Sequence, residues 1–154
     1  MKKLLSILLI SCVLLTLTAC GSEKTLNGSI DDLFKKIEEK NAEGAMYACS
    51  AEVIEEDFLI KESYYSEGRI IKPEDSAGVE RIAFFKANSA ENANLISKAL
   101  KKHIEDVKQE EKNYNADNYA TASNAEVTKE GLYVYMVMSP NKAAITEVIK
   151  ANLK

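Results

Sequence analysis

Tryptophan is absent, and the 154 residues hold only one histidine, two prolines and three cysteines. One histidine beside so few thiols excludes the common zinc arrangements, which draw four ligands chiefly from Cys and His. Neither HExxH nor a paired CxxC occurs. Glycine is also scarce, and Gly28, Gly44, Gly68, Gly78 and Gly131 are isolated, so no phosphate-cradling loop exists. A G-x-S-x-G elbow is missing too. Acidic residues outnumber basic ones, giving a net charge of −4, which argues against nucleic acid as a partner.

The first twenty residues, MKKLLSILLISCVLLTLTAC, divide as a secretory signal does. Lys2 and Lys3 form a positive n-region. The uncharged run from Leu4 to about Thr18 is shorter than the ~20 residues of a comfortable membrane span and reads as an h-region. Leu17-Thr18-Ala19-Cys20 then resembles the bacterial lipobox, whose cysteine receives a diacylglyceryl group before cleavage. The expectation is a signal peptide at 1–19 and a mature chain that begins at a lipidated Cys20, held on the extracytoplasmic face of the cell membrane. The competing readings are ordinary cleavage after Ala19 and an uncleaved anchor.

Loss of Lys2 and Lys3 would leave 18 − 24 = −6. An acidic domain gains little from anionic lipid, so acyl chains must supply the membrane affinity. Cys12 leaves with the signal and Cys20 is consumed, so Cys49 has no intramolecular partner. Residues 20–28 are small and polar, the composition of a flexible tether. The remaining residues, 29–154, have near-average apolar and charged content and length for one domain.

Hydrophobic spacing outlines the elements. Ser29 can cap a helix in which Ile30, Leu33, Phe34 and Ile37 share a face. Residues 45–50 are ambiguous between strand and loop, and 52–61 suit a short helix. Residues 68–72 suit an edge strand, and 79–87 a strand apolar on both faces, as in a sheet covered by helices. A long helix is expected over 89–113 with the stripe Ile96, Ala99, Leu100, His103, Val107 and Tyr114, then a loop over 115–122. Residues 124–128 and 132–138 read as a hairpin, and Ser139-Pro140 as the start of a last helix bearing Ala144, Ile145, Val148, Ile149 and Leu153. The expected fold is α+β, a small antiparallel sheet of about four strands with helices packed on it, in the order ααββαββα.

Arg81-Ile82-Ala83-Phe84-Phe85-Lys86, the charged helix ending at Tyr114, and then Ala125, Val127, Gly131, Tyr133 and Val134 resemble the domain-of-unknown-function 4358 family. The similarity covers about 29–154. Members are typically lipoproteins of Gram-positive bacteria with a short tether, which the resemblance implies for residues 20–28. It implies no cofactor and no catalytic residue. Arg81 stands where that family's pattern usually has an acidic residue, so no role of that carboxylate carries over.

Cys49 and His103 suggest a thiolate–imidazole pair, but Cys49 lies in no nucleophile motif and His103 falls on a helix stripe where packing explains it. Glu55, Glu56, Asp57, Glu110 and Glu111 offer carboxylates for calcium or for glycoside chemistry, against the plainer reading of solvated helix faces. No catalytic residue, metal or cofactor is expected. On the last strand Tyr133 and Tyr135 face away from Val134, Met136 and Met138, so they form a candidate binding surface unless another helix covers them. The leading reading is a membrane-tethered binding or interaction module with a protein or small-ligand partner. The alternatives are a small cell-envelope enzyme with a carboxylate-based site and a structural subunit of a membrane complex.

Overall fold

The computed structural model describes residues 24–41, 45–74 and 77–154. Cys20 and the expected signal and lipobox lie outside the described residues. Helix α1 (Ile30–Glu38) opens on a full capping box: Ser29 Oγ accepts from the Asp32 N–H, and the Asp32 carboxylate accepts from the Ser29 N–H. That reciprocity fixes the first turn and aims Leu33, Phe34 and Ile37 inward. Strand β1 (Met46–Ala48) follows, then α2 (Ala51–Phe58), capped by Ser50. A turn of 3-10 helix leads into β2 (Tyr65–Pro73), and β3 (Arg81–Ala87) returns beside it. The long α3 (Ala90–Glu111) begins at Ser89, and α4 (Ala116–Ser123) at Asn115, whose side chain accepts from two backbone amides. Strands β4 (Glu126–Glu130) and β5 (Tyr133–Met138) precede α5 (Lys142–Asn152).

The five strands form one antiparallel sheet in the order β1-β2-β3-β5-β4. The expected α+β class holds, with one more strand and one more helix than the sequence pattern suggests. β1 has three residues, too few for an alternation to show, and pairs with residues 71–73 of β2. α4 occupies the segment expected to be a loop, because its buried side consists of Ala122 alone. Tyr114, expected on the buried stripe, is 89% exposed because α3 ends before it.

Helices cover both faces of the sheet. On one face Ile70, Ala83, Phe85, Val134 and Met136 pack with Ile54, Phe58, Ile96 and Leu100 of α2 and α3. On the other, Ile71, Ile82, Phe84, Tyr133, Tyr135 and Val137 pack with α1 and α5. Tyr133 and Tyr135 are therefore buried in the core and are not the recognition surface that strand alternation suggested. Alternation does put them on the face opposite Val134 and Met136, and a second helical layer covers what would otherwise be the open face. Gly68 is required by close packing, because a Cβ there would lie 2.4 Å from Phe85 Cδ1. Gly131, at φ 62, makes the two-residue turn between β4 and β5.

The stretch expected to be flexible through Gly28 is fastened earlier. The Thr25 N–H donates to Lys154 O at 2.7 Å, Lys154 N–H returns to Thr25 O at 3.0 Å, and Asn27 N–H donates to Asn152 O at 2.8 Å. Leu26 N–H donates to the Tyr133 hydroxyl at 3.1 Å, and Lys24 pairs with Glu130 at 3.3 Å. This strap closes over the end of the sheet where β5 begins.

Candidate functional site

The opposite end of the sheet, where β5 stops and β3 starts, carries a buried polar cluster. Side chains at 80, 82 and 84 share a face, so Glu80 occupies the position one step beyond the apolar Ile82 and Phe84. The segment ahead of β3 is locked by Arg81, whose Nη1 donates to Gly78 O at 3.0 Å and to Glu80 O at 2.7 Å. Asn118 Nδ2 of α4 donates to Ala77 O at 3.0 Å and ties that helix to the same segment.

Glu80 is only 6% exposed. Its Oε1 accepts from Ser139 Oγ at 3.0 Å and its Oε2 from Asn41 Nδ2 at 3.4 Å. None of the ion pairs among the described residues involves it. Two neutral donors offset only part of the desolvation of a buried carboxylate. Asn41, 8% exposed, leaves its Oδ1 buried with no hydrogen-bond partner. The cluster thus holds more acceptor capacity than its donors satisfy. The unpaired acceptor among them is Asn41 Oδ1.

Beside the cluster lies an open cleft in two lobes, of ≈ 530 Å³ and ≈ 250 Å³, which share Asp117, Thr121 and Pro140 as lining. Ser139 and Lys142 border the larger lobe, and Gly78, Val79 and Glu80 the smaller. Ser139-Pro140-Asn141-Lys142 has the S-x-x-K spacing in which a lysine amine can serve a serine hydroxyl. The geometry assigns those groups elsewhere. Lys142 Nζ lies 3.7 Å from Glu126, and the Ser139 hydroxyl donates to Glu80 while accepting from the Asn141 N–H. That use of Ser139 also moves the helix start to Lys142, two residues past the expected proline position.

Cys49 and His103 sit on the other face of the sheet and no hydrogen bond joins them. Burial pushes the Cys49 thiol up, against the lowering effect of Lys72 and Arg81. Burial, aided by Arg81, pushes His103 down to about 4. A thiolate–imidazolium pair needs both shifts reversed. The imidazole instead packs 4.3 Å from the Phe58 ring, with Nε2 unpartnered. Among the described residues no group of three or more His, Cys, Asp and Glu is placed to hold a metal. Asp57, one of the candidate carboxylates, pairs with Lys72 at 3.5 Å, and Glu55 and Glu56 are exposed.

The His103 environment makes a pH prediction. A histidine near 4 in the folded state and 6.5 when unfolded is fully compatible with folding above pH 6.5. Stability falls as pH drops from there toward 4, because only the unfolded chain takes the proton. Between pH 7.5 and 5 the expected loss is roughly 2 kcal/mol. Urea midpoints at the two pH values measure it, and His103→Gln should remove most of the difference. A midpoint gap that survives this substitution assigns the loss to other groups.

Glu80, Asn41 and Asp117 lie in no motif, and Ser139 enters the sequence pattern as the expected start of the last helix. The available signal was Glu80 itself, a charged residue at an inward-facing strand position.

No curated protein and no solved structure matches the chain. The family described as a domain of unknown function, DUF4358, matches residues 30–139. That span includes Asn41, Glu80, Asp117 and Ser139 and stops before α5, so it is shorter than the resemblance over 29–154 suggested. With most of its length matched, the chain belongs to the DUF4358 family, whose molecular function is unknown.

Proposed function

We propose that the protein is a lipid-anchored extracytoplasmic binding module, as the lipoprotein pattern at Cys20 implies, and that its ligand enters the cleft beside Glu80. The Glu80 carboxylate, which lines the cleft with two neutral donors and no described cation on it, carries this reading, because it favours a ligand that presents an ammonium or another hydrogen-bond donor. Asp117 adds a second carboxylate at the rim. Among the described residues no helix is long and apolar enough to cross a membrane.

The runner-up is a small envelope enzyme, favoured by the carboxylates of Glu80 and Asp117 on one cleft and by the Ser139 hydroxyl bonded to Glu80. The Ser139 hydroxyl is buried, donates to Glu80 and accepts from the Asn141 N–H, so it is not placed as a free nucleophile.

Two measurements test the proposal. Mass spectrometry of the membrane fraction should find a diacylglyceryl-modified Cys20 at the mature N-terminus, and Cys20→Ala should release the domain or leave the precursor uncleaved. An unmodified mature N-terminus in the wild-type protein sinks the anchor. A photo-crosslinker at Asp117 on intact cells should capture a ligand that one at Leu95 on α3 does not, and Glu80→Gln should abolish the capture. Equal labelling from both positions rejects the cleft.

A further inference from the structure

The strap and the cleft lie at opposite ends of β5, and that separation gives the domain a polarity. Tyr133, which holds Leu26, opens the strand, and Ser139, which holds Glu80, follows its last residue. Five steps of strand place Tyr133 and Met138 about 17 Å apart. We propose that the end where Thr25–Asn27 meet Asn152–Lys154 lies against the lipid headgroups, so that the Glu80 cleft faces away from the membrane. This deepens the proposed function and rests on lipidation of Cys20.

Tether length is the reason. From Cys20 to Thr25 there are five residue steps, which span at most about 17–18 Å however they are arranged. A folded domain of this length has a radius of gyration near ~14 Å and a diameter roughly twice that or more. The anchor cannot reach around to the cleft end. Because Thr25 is bonded on both sides to Lys154, the fixed point is part of the domain and not of a loose leader.

Charge does not oppose this placement. The strap end carries Lys24, Lys36, Lys150 and Lys154, with Lys36 Nζ held on Asn152 Oδ1 at 2.8 Å. Lys24 is paired with Glu130, and Asp32 stays anionic there because its bonds to Ser29 lower its pKa. At the other end Glu80 and Asp117 border the cleft, Lys142 is paired with Glu126, Lys72 with Asp57, and Arg81 is bonded to backbone carbonyls. Cations therefore lie at both ends of the sheet, and the short tether sets the orientation.

The test uses the full lipidated chain in a Cys49→Ser background, with single labelling cysteines at Lys150→Cys or Asp117→Cys. Each is given an environment-sensitive fluorophore and reconstituted into phosphatidylcholine and phosphatidylglycerol vesicles carrying headgroup nitroxide lipids. The label at 150 should be quenched severalfold more strongly than the label at 117. Equal or reversed quenching in protein that mass spectrometry shows to be lipidated overturns the orientation and leaves the anchor standing. Protein that carries no lipid on Cys20 overturns both.

Discussion

Replacing Tyr133 and Tyr135 together with Thr is expected to unfold the domain or to remove most of its stability. Both rings are buried, and they flank Phe84, whose centroid lies 5.6 Å from one and 6.4 Å from the other. Removing one buried ring to a small side chain costs about 3–5 kcal/mol, and two neighbours that share one cavity do not add simply. A domain of this size has only about 5–15 kcal/mol to lose. The hydroxyls add to the effect. Tyr133 accepts the Leu26 N–H, and Tyr135 donates to Glu130 Oε1 at 3.1 Å. Burial, with Glu130 close by, pushes the Tyr135 phenol up to about 12. Tyr135→Phe alone keeps the ring and should cost only about 0.5–1.5 kcal/mol. Urea denaturation followed by far-ultraviolet circular dichroism separates the two outcomes. A double variant that melts within a few degrees of the wild type contradicts the two-layered core.

The same pair shows where sequence reading stops. Strand alternation placed Tyr133 and Tyr135 on one face and Val134 and Met136 on the other, and the structure agrees. What a period of two cannot say is whether the second face is open, because a ring buried under α5 and a ring facing water have the same spacing. Elements with a local physical cause were legible. Ser29 with Asp32 announced α1, and Ile30, Leu33, Phe34 and Ile37 drew its face. β3 was legible from residues apolar on both sides. β1 was not, since three residues stabilised by pairing with β2 carry no pattern of their own. α4 was missed for a related reason: its cap Asn115 is readable, but one buried alanine gives no stripe. The Glu80 cluster was least legible, since Asn41, Glu80 and Ser139 come from three distant stretches that only the folded sheet brings together.

Glu80 yields the prediction with opposite signs. Glu80→Ala should destabilise the domain, because the Ser139 hydroxyl loses its acceptor and the Asn41 amide loses the carboxylate it donates to. Each buried group left unpaired costs about 1–3 kcal/mol, so the total is expected at about 2–5 kcal/mol. Glu80→Gln should behave differently. A glutamine has the same shape, can still accept from one of these donors, and can offer its own N–H to Asn41 Oδ1 if that amide turns over. It also removes a buried carboxylate that no described cation accompanies. Stability should therefore be unchanged or rise by up to about 2 kcal/mol, as happens when a residue retained for function is replaced by one better suited to the fold. Ligand capture through the cleft should be lost in the same variant. Thermal melts and the Asp117 crosslink, read side by side on the wild type and both variants, decide the matter. If Glu80→Gln destabilises the protein as much as Glu80→Ala and leaves capture intact, the carboxylate is a structural strut and the ligand binds elsewhere.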